Sequence, residues 1–232
     1  MFRIFKCLFI FLAFSDFVSA QDLSAFQSNF IRKVTMGSES ETIKGTIYYE
    51  SSRMIIEINY PIRQIFIIND LSVTIFYPQE NKAFRFTGPE GAFSPFILSF
   101  LGMVKEDFGL AEAGFLITKR EKEDDLLLTY WKPPKNIEKK ISSIKLGTKS
   151  NLPFSLTVFD PSAELLFRVI YSEYKNFGAM VFPGEVLVEQ QRDGEIYKQH
   201  IIYSEQKVNI PLAREITEFE LPKDVLIKEV AW

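Results

Sequence analysis

The sequence is nearly free of the side chains that most enzymes use as nucleophiles or metal ligands. Its 232 residues include one cysteine, Cys7, and one histidine, His200. A zinc site needs further histidine or cysteine ligands, and His200 alternates within a predicted strand, which is typical of a surface or packing residue. A phosphate-binding loop is also lacking, because Gly88-Pro89-Glu90-Gly91 has no lysine behind it. We therefore predict no catalytic residue, no metal and no cofactor.

Strong charge of one sign is lacking too. The 27 lysines and arginines nearly balance the 30 aspartates and glutamates, and the net charge is −3. Nucleic-acid binding depends on a clustered positive field, so we predict no nucleic-acid partner. Residues 121–125 contain neighbouring carboxylates, but they fall in a mixed-charge turn. A hydrolase that uses carboxylates alone is the enzymatic alternative; nothing else points to one, and we predict that the protein is not an enzyme.

Long apolar runs are missing after the first twenty residues, and those twenty have the three parts of a secretory signal peptide. Arg3 and Lys6 give a positive start, residues 7–14 are apolar, and Val18-Ser19-Ala20 supplies small residues for cleavage. A transmembrane anchor is the alternative, but eight apolar residues are too few to cross about 30 Å of hydrocarbon. We predict export and cleavage after Ala20.

The position of the single cysteine bears on the fate of the exported chain. Cys7 lies at the start of the apolar stretch, whereas a lipoprotein signal carries its cysteine at the cleavage point. The mature chain is therefore predicted to carry neither lipid nor disulfide, which fits a bacterial envelope protein better than a small secreted eukaryotic domain. We predict a periplasmic protein with a signal peptide at 1–20 and a single domain at 21–232.

Segments of β-rich sequence joined by short turns make up most of the domain. Short links between such segments predict antiparallel neighbours in a meander. Residues 54–56 and 65–68 are apolar on both faces, so this part of the sheet either is buried twice or faces an apolar cavity. The predicted strands are residues 44–50, 53–60, 64–69, 72–77, 82–87, 114–119, 125–131, 141–146, 153–159, 164–174, 179–190, 194–206 and 215–221.

Two segments have a helical pattern instead. Residues 93–103 are strongly apolar and contain, near their start, Ser94-Pro95, which is a favourable helix start. A helix this apolar has to be covered by, or itself cover, other apolar surface. Residues 22–33 predict an amphipathic helix that packs on the rest of the chain through Leu23, Phe26, Phe30 and Ile31.

From Gly45 to Tyr77 the sequence resembles the periplasmic lipoprotein carrier family, called LolA-like, within the wider half-barrel superfamily of lipoprotein localisation. A strand that begins with glycine, a strand that ends before Pro61 and a hairpin follow one another in the family's order. Residues 67–70 resemble the family's turn, and residues 219–225 are similar to its closing pattern of phenylalanine and proline.

The resemblance implies a fold that is mainly β with a few helices. The expected form is an incomplete antiparallel β-barrel with an N-terminal amphipathic helix and with residues 93–103 as a lid helix over an apolar cavity. It implies a monomeric carrier that binds acyl chains of lipoproteins or lipids, takes them from an inner-membrane donor and delivers them to an outer-membrane acceptor. The cavity and lid residues implied are Tyr49, Met54, Ile56, Ile65, Ile67, Ile75, Phe84, Phe96, Phe100 and Leu101.

Arg53 is the candidate for a latch on the lid. The family commonly has an arginine and a proline before its second strand, where Ser51-Ser52 stand in this chain. Arg53 lies two residues further on and would point to the same side of the strand.

An envelope protein-interaction module of the same fold is the alternative function. Such a module would hold a protein partner at a sheet edge or in the groove of the half-barrel, without lipid cargo. A filled interior would favour this alternative over the carrier.

Overall fold

The computed structural model describes residues 23–230, except residues 70–71, 88–93, 106, 179 and 193 and the side chain of residue 192. The predicted signal peptide, residues 1–20, lies outside the described residues. So do the start of the predicted N-terminal helix and residues 88–91.

One strongly curved, unclosed sheet of 14 strands forms the frame of the protein, which confirms the predicted incomplete barrel. The strands are β1 (Ala25–Met36), β2 (Glu39–Glu50), β3 (Arg53–Tyr60), β4 (Gln64–Asn69), β5 (Ser72–Tyr77), β6 (Lys82–Thr87), β7 (Leu116–Glu123), β8 (Leu126–Lys132), β9 (Ser143–Lys149), β10 (Leu152–Phe159), β11 (Leu165–Phe177), β12 (Met180–Arg192), β13 (Glu195–Val208) and β14 (Leu226–Val230). The helices are α1 (Pro95–Val104) and α2 (Arg214–Thr217), and a short 3₁₀ turn spans Pro78–Glu80.

Strand β1 lies at the centre of the sheet and joins two meanders. On one side β1 to β6 follow in sequence; on the other, β13 pairs with β1 and the order runs back through β12 to β7. Every pair is antiparallel except β14 with β6. The sheet stays open because β14 and β7 are its two edges. Helix α1 belongs to the connection from β6 to β7, which links the two meanders. Its side chains pack on the concave face of the sheet against strands of both meanders.

The predicted N-terminal helix is wrong, because this segment is strand β1. Phe26 and Phe30 are four residues apart, and four is an even number, so they share a face in a strand as well as in a helix. Ser28 between them is also buried, and its hydroxyl donates to the Ser204 carbonyl oxygen at 3.0 Å. Ile31, which the helical pattern placed inside, is 45% exposed. Pairing with both β2 and β13 therefore outweighs the helical pattern.

The predicted strand at 215–221 is also wrong. This segment contains the short helix α2 and an irregular stretch, and the strand near the C-terminus is β14, further along. In contrast, β3, β4, β5 and β6 have the predicted bounds. These four strands have apolar centres and are separated from one another by short links, so the local pattern and the tertiary structure agree.

The two faces of the sheet have separate apolar clusters. The larger one fills the concave side with α1 and side chains from nearly every strand, among them the fully buried Phe26, Phe30 and Phe100. The smaller one lies on the opposite side, around Ile55 and Phe76. Both faces of this part of the sheet are therefore buried, which is one of the two arrangements that its apolar strands allowed.

A C-terminal strap, which we define as residues 210–230, covers the smaller cluster. Partly buried side chains of the strap pack on it: Ile216, Phe219, Leu221 and Val225. The strap then continues into β14, where Arg85 and Glu229 form an ion pair at 3.2 Å. The Asn81 side-chain amide further donates to the Asp224 carboxylate at 2.9 Å. The strap thus shields apolar surface that would otherwise face water.

Gly45 tests how tightly β1, β2 and β3 pack. A Cβ atom at this position would lie 2.2 Å from the Glu57 carbonyl oxygen and 2.8 Å from the Phe30 ring. We expect Gly45→Val to lower the free energy of unfolding by at least about 2 kcal/mol, as overpacking of a core does. Urea denaturation measures the change.

The matched control is Ser40→Val, an exposed position on the same strand. It should change the free energy of unfolding by less than about 0.5 kcal/mol. Equal stability of the two variants would contradict the close approach at Gly45.

Candidate functional site

The plug helix, as we call α1 (Pro95–Val104), occupies the concave side of the sheet. Its sequence, PFILSFLGMV, has no charged residue. Proline at the first position and Ser94 before it begin the helix as predicted, although the serine side chain makes no capping hydrogen bond. The predicted lid therefore lies within the concave side and is itself the core there, because most of it is buried: Phe96, Ile97, Leu98, Ser99, Phe100, Gly102 and Met103.

Aromatic rings hold the plug helix against β1 and β13. Phe96 and Phe100 stack edge to face, with ring centroids 4.9 Å apart. Phe30 from β1 contacts both, at 6.0 Å and 5.7 Å. Tyr203 from β13 contacts Phe100 at 5.8 Å. Such pairs add about 0.5–1.5 kcal/mol each beyond the burial of area, so this aromatic group dominates the seating of the helix.

Tyr171 ties the helix backbone to β11. Its hydroxyl donates to the carbonyl oxygens of Leu98 and Ser99, at 3.3 Å and 3.2 Å. Burial raises the pKa of Tyr171 well above its usual value, so the hydroxyl stays protonated as a donor. Gly102 permits this approach, since a Cβ there would lie 2.3 Å from the same hydroxyl oxygen.

Arg32 brings a positive charge to the edge of the plug helix. Its guanidinium lies 4.2 Å from the centroid of the Phe96 ring, and its Nε donates to the Gln199 side-chain oxygen at 2.9 Å. Burial lowers the pKa of Arg32 to about 10, against a smaller opposing effect of Glu41. A guanidinium remains charged at neutral pH. The arrangement with the plug helix in place, which we call the closed arrangement, therefore keeps a poorly hydrated cation next to the helix.

Nine of the ten cavity and lid residues predicted from the sequence fall into two groups, and Phe84 belongs to neither. Seven of them belong to or pack against the concave cluster: Tyr49, Met54, Ile56, Ile75, Phe96, Phe100 and Leu101. Ile65 and Ile67 belong to the smaller cluster on the other face, beneath the strap. Phe84 pairs with Ile75 across β5 and β6 and contacts the Tyr77 ring at 5.9 Å. Ile65 and Ile67 therefore do not line the same side of the sheet as the plug helix.

Sequence reasoning missed three residues of this site: Arg32, Tyr171 and Gln199. Arg32 was hidden because its segment was predicted as a helix. Tyr171 and Gln199 lie in correctly predicted strands, and burial of Gln199 follows from the alternation there. His200, its neighbour, instead lies exposed on β13 and hydrogen-bonds the Glu185 carboxylate at 2.9 Å.

Arg53 fixes the strap, not the plug helix. Its Nη1 donates to the Thr217 carbonyl oxygen at 2.6 Å, and its Nη2 donates to that of Phe219. A groove of about 310 Å³ lies beside it, between β2, β3 and the strap. The predicted latch residue therefore binds the strap, on the opposite face of the sheet from the predicted lid.

A second groove lies at the surface beside β10 and β11. It has a volume of about 370 Å³ and is mostly apolar, with Leu152, Phe154 and Tyr174 among its walls. Tyr171, which binds the helix backbone, also lines it. An apolar ligand in this groove would lie against β11, the strand whose Tyr171 hydroxyl holds the helix.

Solved structures with the same arrangement exist among bacterial proteins. A DUF1329 family protein from Desulfovibrio piger matches with a TM-score of 0.64 and 15% identity, over 86% of this chain and 92% of that one. A LolA superfamily protein from Nitrosomonas europaea matches with 0.60 and 16%, over 88% and 92%. A putative outer membrane lipoprotein-sorting protein domain from Vibrio parahaemolyticus matches with 0.59 and 12%, over 84% and 90%. The chain has the LolA-like fold.

Because the identities are low, these likenesses establish the fold alone. No protein-family model and no curated protein matches the sequence. Among the residues that the structure describes, no three histidine, cysteine, aspartate or glutamate side chains lie close enough together to hold a metal ion. None of the helices in that same part of the chain is long and apolar enough to span a membrane.

Tyr171→Phe tests the tie between β11 and the plug helix. Loss of the hydroxyl leaves buried carbonyl oxygens of the helix without this donor, so we expect a loss of about 1 kcal/mol in the free energy of unfolding. Faster amide hydrogen exchange should be confined to the helix. Tyr60→Phe, at an exposed tyrosine, is the control and should change neither quantity. Unchanged exchange in the helix of Tyr171→Phe would contradict the tie.

Arg53→Met tests the hold on the strap. Charge-assisted hydrogen bonds contribute about 1.5–3 kcal/mol, so their removal should make the strap open more often. We expect limited proteolysis within residues 210–230 to become at least tenfold faster. The exposed Arg63 supplies the control, because Arg63→Met should keep the wild-type cleavage rate.

Proposed function

We propose that the protein is a periplasmic carrier that binds acyl chains of lipidated proteins or lipids on the concave side of its sheet. The observation that carries the proposal is the plug helix: an uncharged apolar helix occupies the concave side of a LolA-like fold. The likeness to a putative outer membrane lipoprotein-sorting protein domain supports the same direction. In this proposal cargo and plug helix compete for one apolar surface.

Burial of an acyl chain and burial of the plug helix contribute comparable free energies. Each methylene that leaves water contributes about 0.8 kcal/mol, so an acyl chain of roughly 14 methylenes contributes about 11 kcal/mol. The plug helix buries five large apolar side chains, Phe96, Ile97, Leu98, Phe100 and Met103. At roughly 1.5–3 kcal/mol each, they contribute about 8–15 kcal/mol. Cargo can therefore displace the helix, and the helix can in turn help to expel the cargo.

Arg32 favours such an exchange. Its guanidinium is poorly hydrated while Phe96 lies over it, and departure of the helix would return water to it. An anionic group on the cargo would also find a cation there. The 370 Å³ groove would offer a chain an apolar surface beside β11, the strand that holds the helix through Tyr171.

The wider proposal includes the export route and the exchange partners. A signal peptide at 1–20, cleaved after Ala20, would deliver a monomeric single domain at 21–232 to the periplasm. There it would receive cargo from an inner-membrane donor and pass it to an outer-membrane acceptor. It would act without catalysis, because transfer needs only differential shelter for the chain.

A protein-interaction module without lipid cargo is the second candidate. The filled concave side favours it, since in the closed state the plug helix takes the place that cargo would need. The two candidates differ in one measurable property, the binding of acyl chains.

Ile75→Gln and Ile67→Gln form a matched pair for this test. Ile75 packs against the concave cluster and Ile67 against the smaller cluster on the other face. We expect Ile75→Gln to weaken binding of a fluorescent acyl probe at least tenfold, because an amide would meet the chain. Ile67→Gln should lose stability but keep the probe affinity. Fluorescence titration of delipidated protein, at a temperature where circular dichroism shows both variants folded, gives the comparison.

Absence of binding for acyl probes of several lengths would overturn the carrier and leave the interaction module. Equal loss of affinity in both variants would contradict the concave location of the site.

A further inference from the structure

One end of the molecule is strongly basic although the chain as a whole is acidic. Residues 132–145 contain five lysines and one glutamate, whereas the net charge of the chain is −3. Lys132 ends β8, and residues 133–142 lead from it to β9. Ile137 and Ile141 in this connection are buried in the concave cluster, so the connection is anchored and the lysines between them point outward.

Three of these lysines, Lys132, Lys135 and Lys139, form what we call the basic end. All three are exposed, and none makes an ion pair within the part of the chain that the structure describes. Lys132 and Lys139 line one open groove of about 620 Å³, together with Glu138. The nearby turn carries Asp160, whose carboxylate accepts from the Glu164 amide at 2.8 Å. Within residues 132–145 the five lysines outnumber the one glutamate.

An exposed apolar side chain stands directly beside the basic end. Leu116 lies opposite Lys132 in the pairing of β7 with β8, and Leu116 is 70% exposed. Ile117, the next residue, is 41% exposed. A leucine among lysines at one end of a protein has the composition of a surface that contacts a bilayer, where the apolar group enters the interface and the cations meet headgroups.

We propose that the basic end docks on the surface of a bilayer that contains anionic lipids. Anionic headgroups attract each nearby lysine by about 1 kcal/mol, and this attraction acts within a Debye length of about 10 Å at 0.1 M salt. The rest of the chain is acidic and is repelled, so the same field orients the molecule with this end toward the membrane. The inference goes beyond acyl binding and does not depend on it.

Vesicle co-sedimentation of the cargo-free mature protein tests this proposal. Vesicles of phosphatidylcholine and phosphatidylglycerol in equal parts should bind the protein, and vesicles of phosphatidylcholine alone should not. The triple variant Lys132→Gln, Lys135→Gln, Lys139→Gln should lose about fivefold in affinity for each lysine, or about 100-fold in all. Higher salt should weaken the wild-type binding in the same direction.

A second triple variant, Lys33→Gln, Lys175→Gln, Lys228→Gln, is the matched control. It removes the same charge from exposed lysines elsewhere and should bind anionic vesicles within about threefold of the wild type. Leu116→Ser should weaken binding further, whereas Ile196→Ser, at a similarly exposed position, should not.

Three outcomes would overturn the proposal: no binding of the wild type to anionic vesicles, equal binding to neutral vesicles, or equal loss in the two triple variants. Binding to soluble polyglutamate but not to anionic vesicles would assign the basic end to an acidic protein instead. Because the experiment uses no acyl probe, its failure leaves the carrier function standing, and failure of acyl binding leaves this proposal standing.

Discussion

Burial of an uncharged helix on the concave face of an open sheet is the constraint on which the rest of the structure depends. A curved sheet that does not close has an apolar inner face and no opposite wall to cover it. Here the wall is the plug helix, which reaches Phe30 on β1 and Tyr171 on β11 and so bridges both meanders. Without it, apolar side chains of both meanders would meet water.

The outer face has a different cover with a different kind of attachment. The strap rests on few apolar contacts and gains hydrogen bonds from Arg53, an ion pair to Arg85 and a parallel strand against β6. The plug helix has the reverse balance, with many aromatic contacts and few polar ones. Because an acyl chain can replace apolar contacts but cannot replace hydrogen bonds, the carrier proposal implies that cargo displaces the helix and leaves the strap in place.

Local patterns predicted the fold where they agreed with its tertiary contacts. Short turns separate the four strands β3 to β6 from one another, and each strand is a compact β-rich run between them. The plug helix was predicted because its apolar run follows Ser94-Pro95. Strand β1 could not be predicted, because the spacing of Phe26 and Phe30 fits either structure and burial of Ser28 depends on a partner strand 176 residues away. The site was predicted only in part for the same reason: the face to which Ile65 and Ile67 belong depends on the strap, which a local pattern does not reveal.

In the proposed exchange of helix and cargo, Arg32 would lower the cost of releasing the helix. A cation over an aromatic ring contributes about 2 kcal/mol when it is desolvated, but removal of the guanidinium from water opposes this gain. The lowered pKa of Arg32 is the sign of that cost in the closed state. The hydrogen bond to Gln199 keeps the guanidinium in position whether or not Phe96 covers it, since both residues belong to the sheet. In the proposed exchange the charge would therefore stay behind when the helix leaves, and it would regain water or meet an anionic group, which would lower the free-energy difference between the closed and the open arrangement.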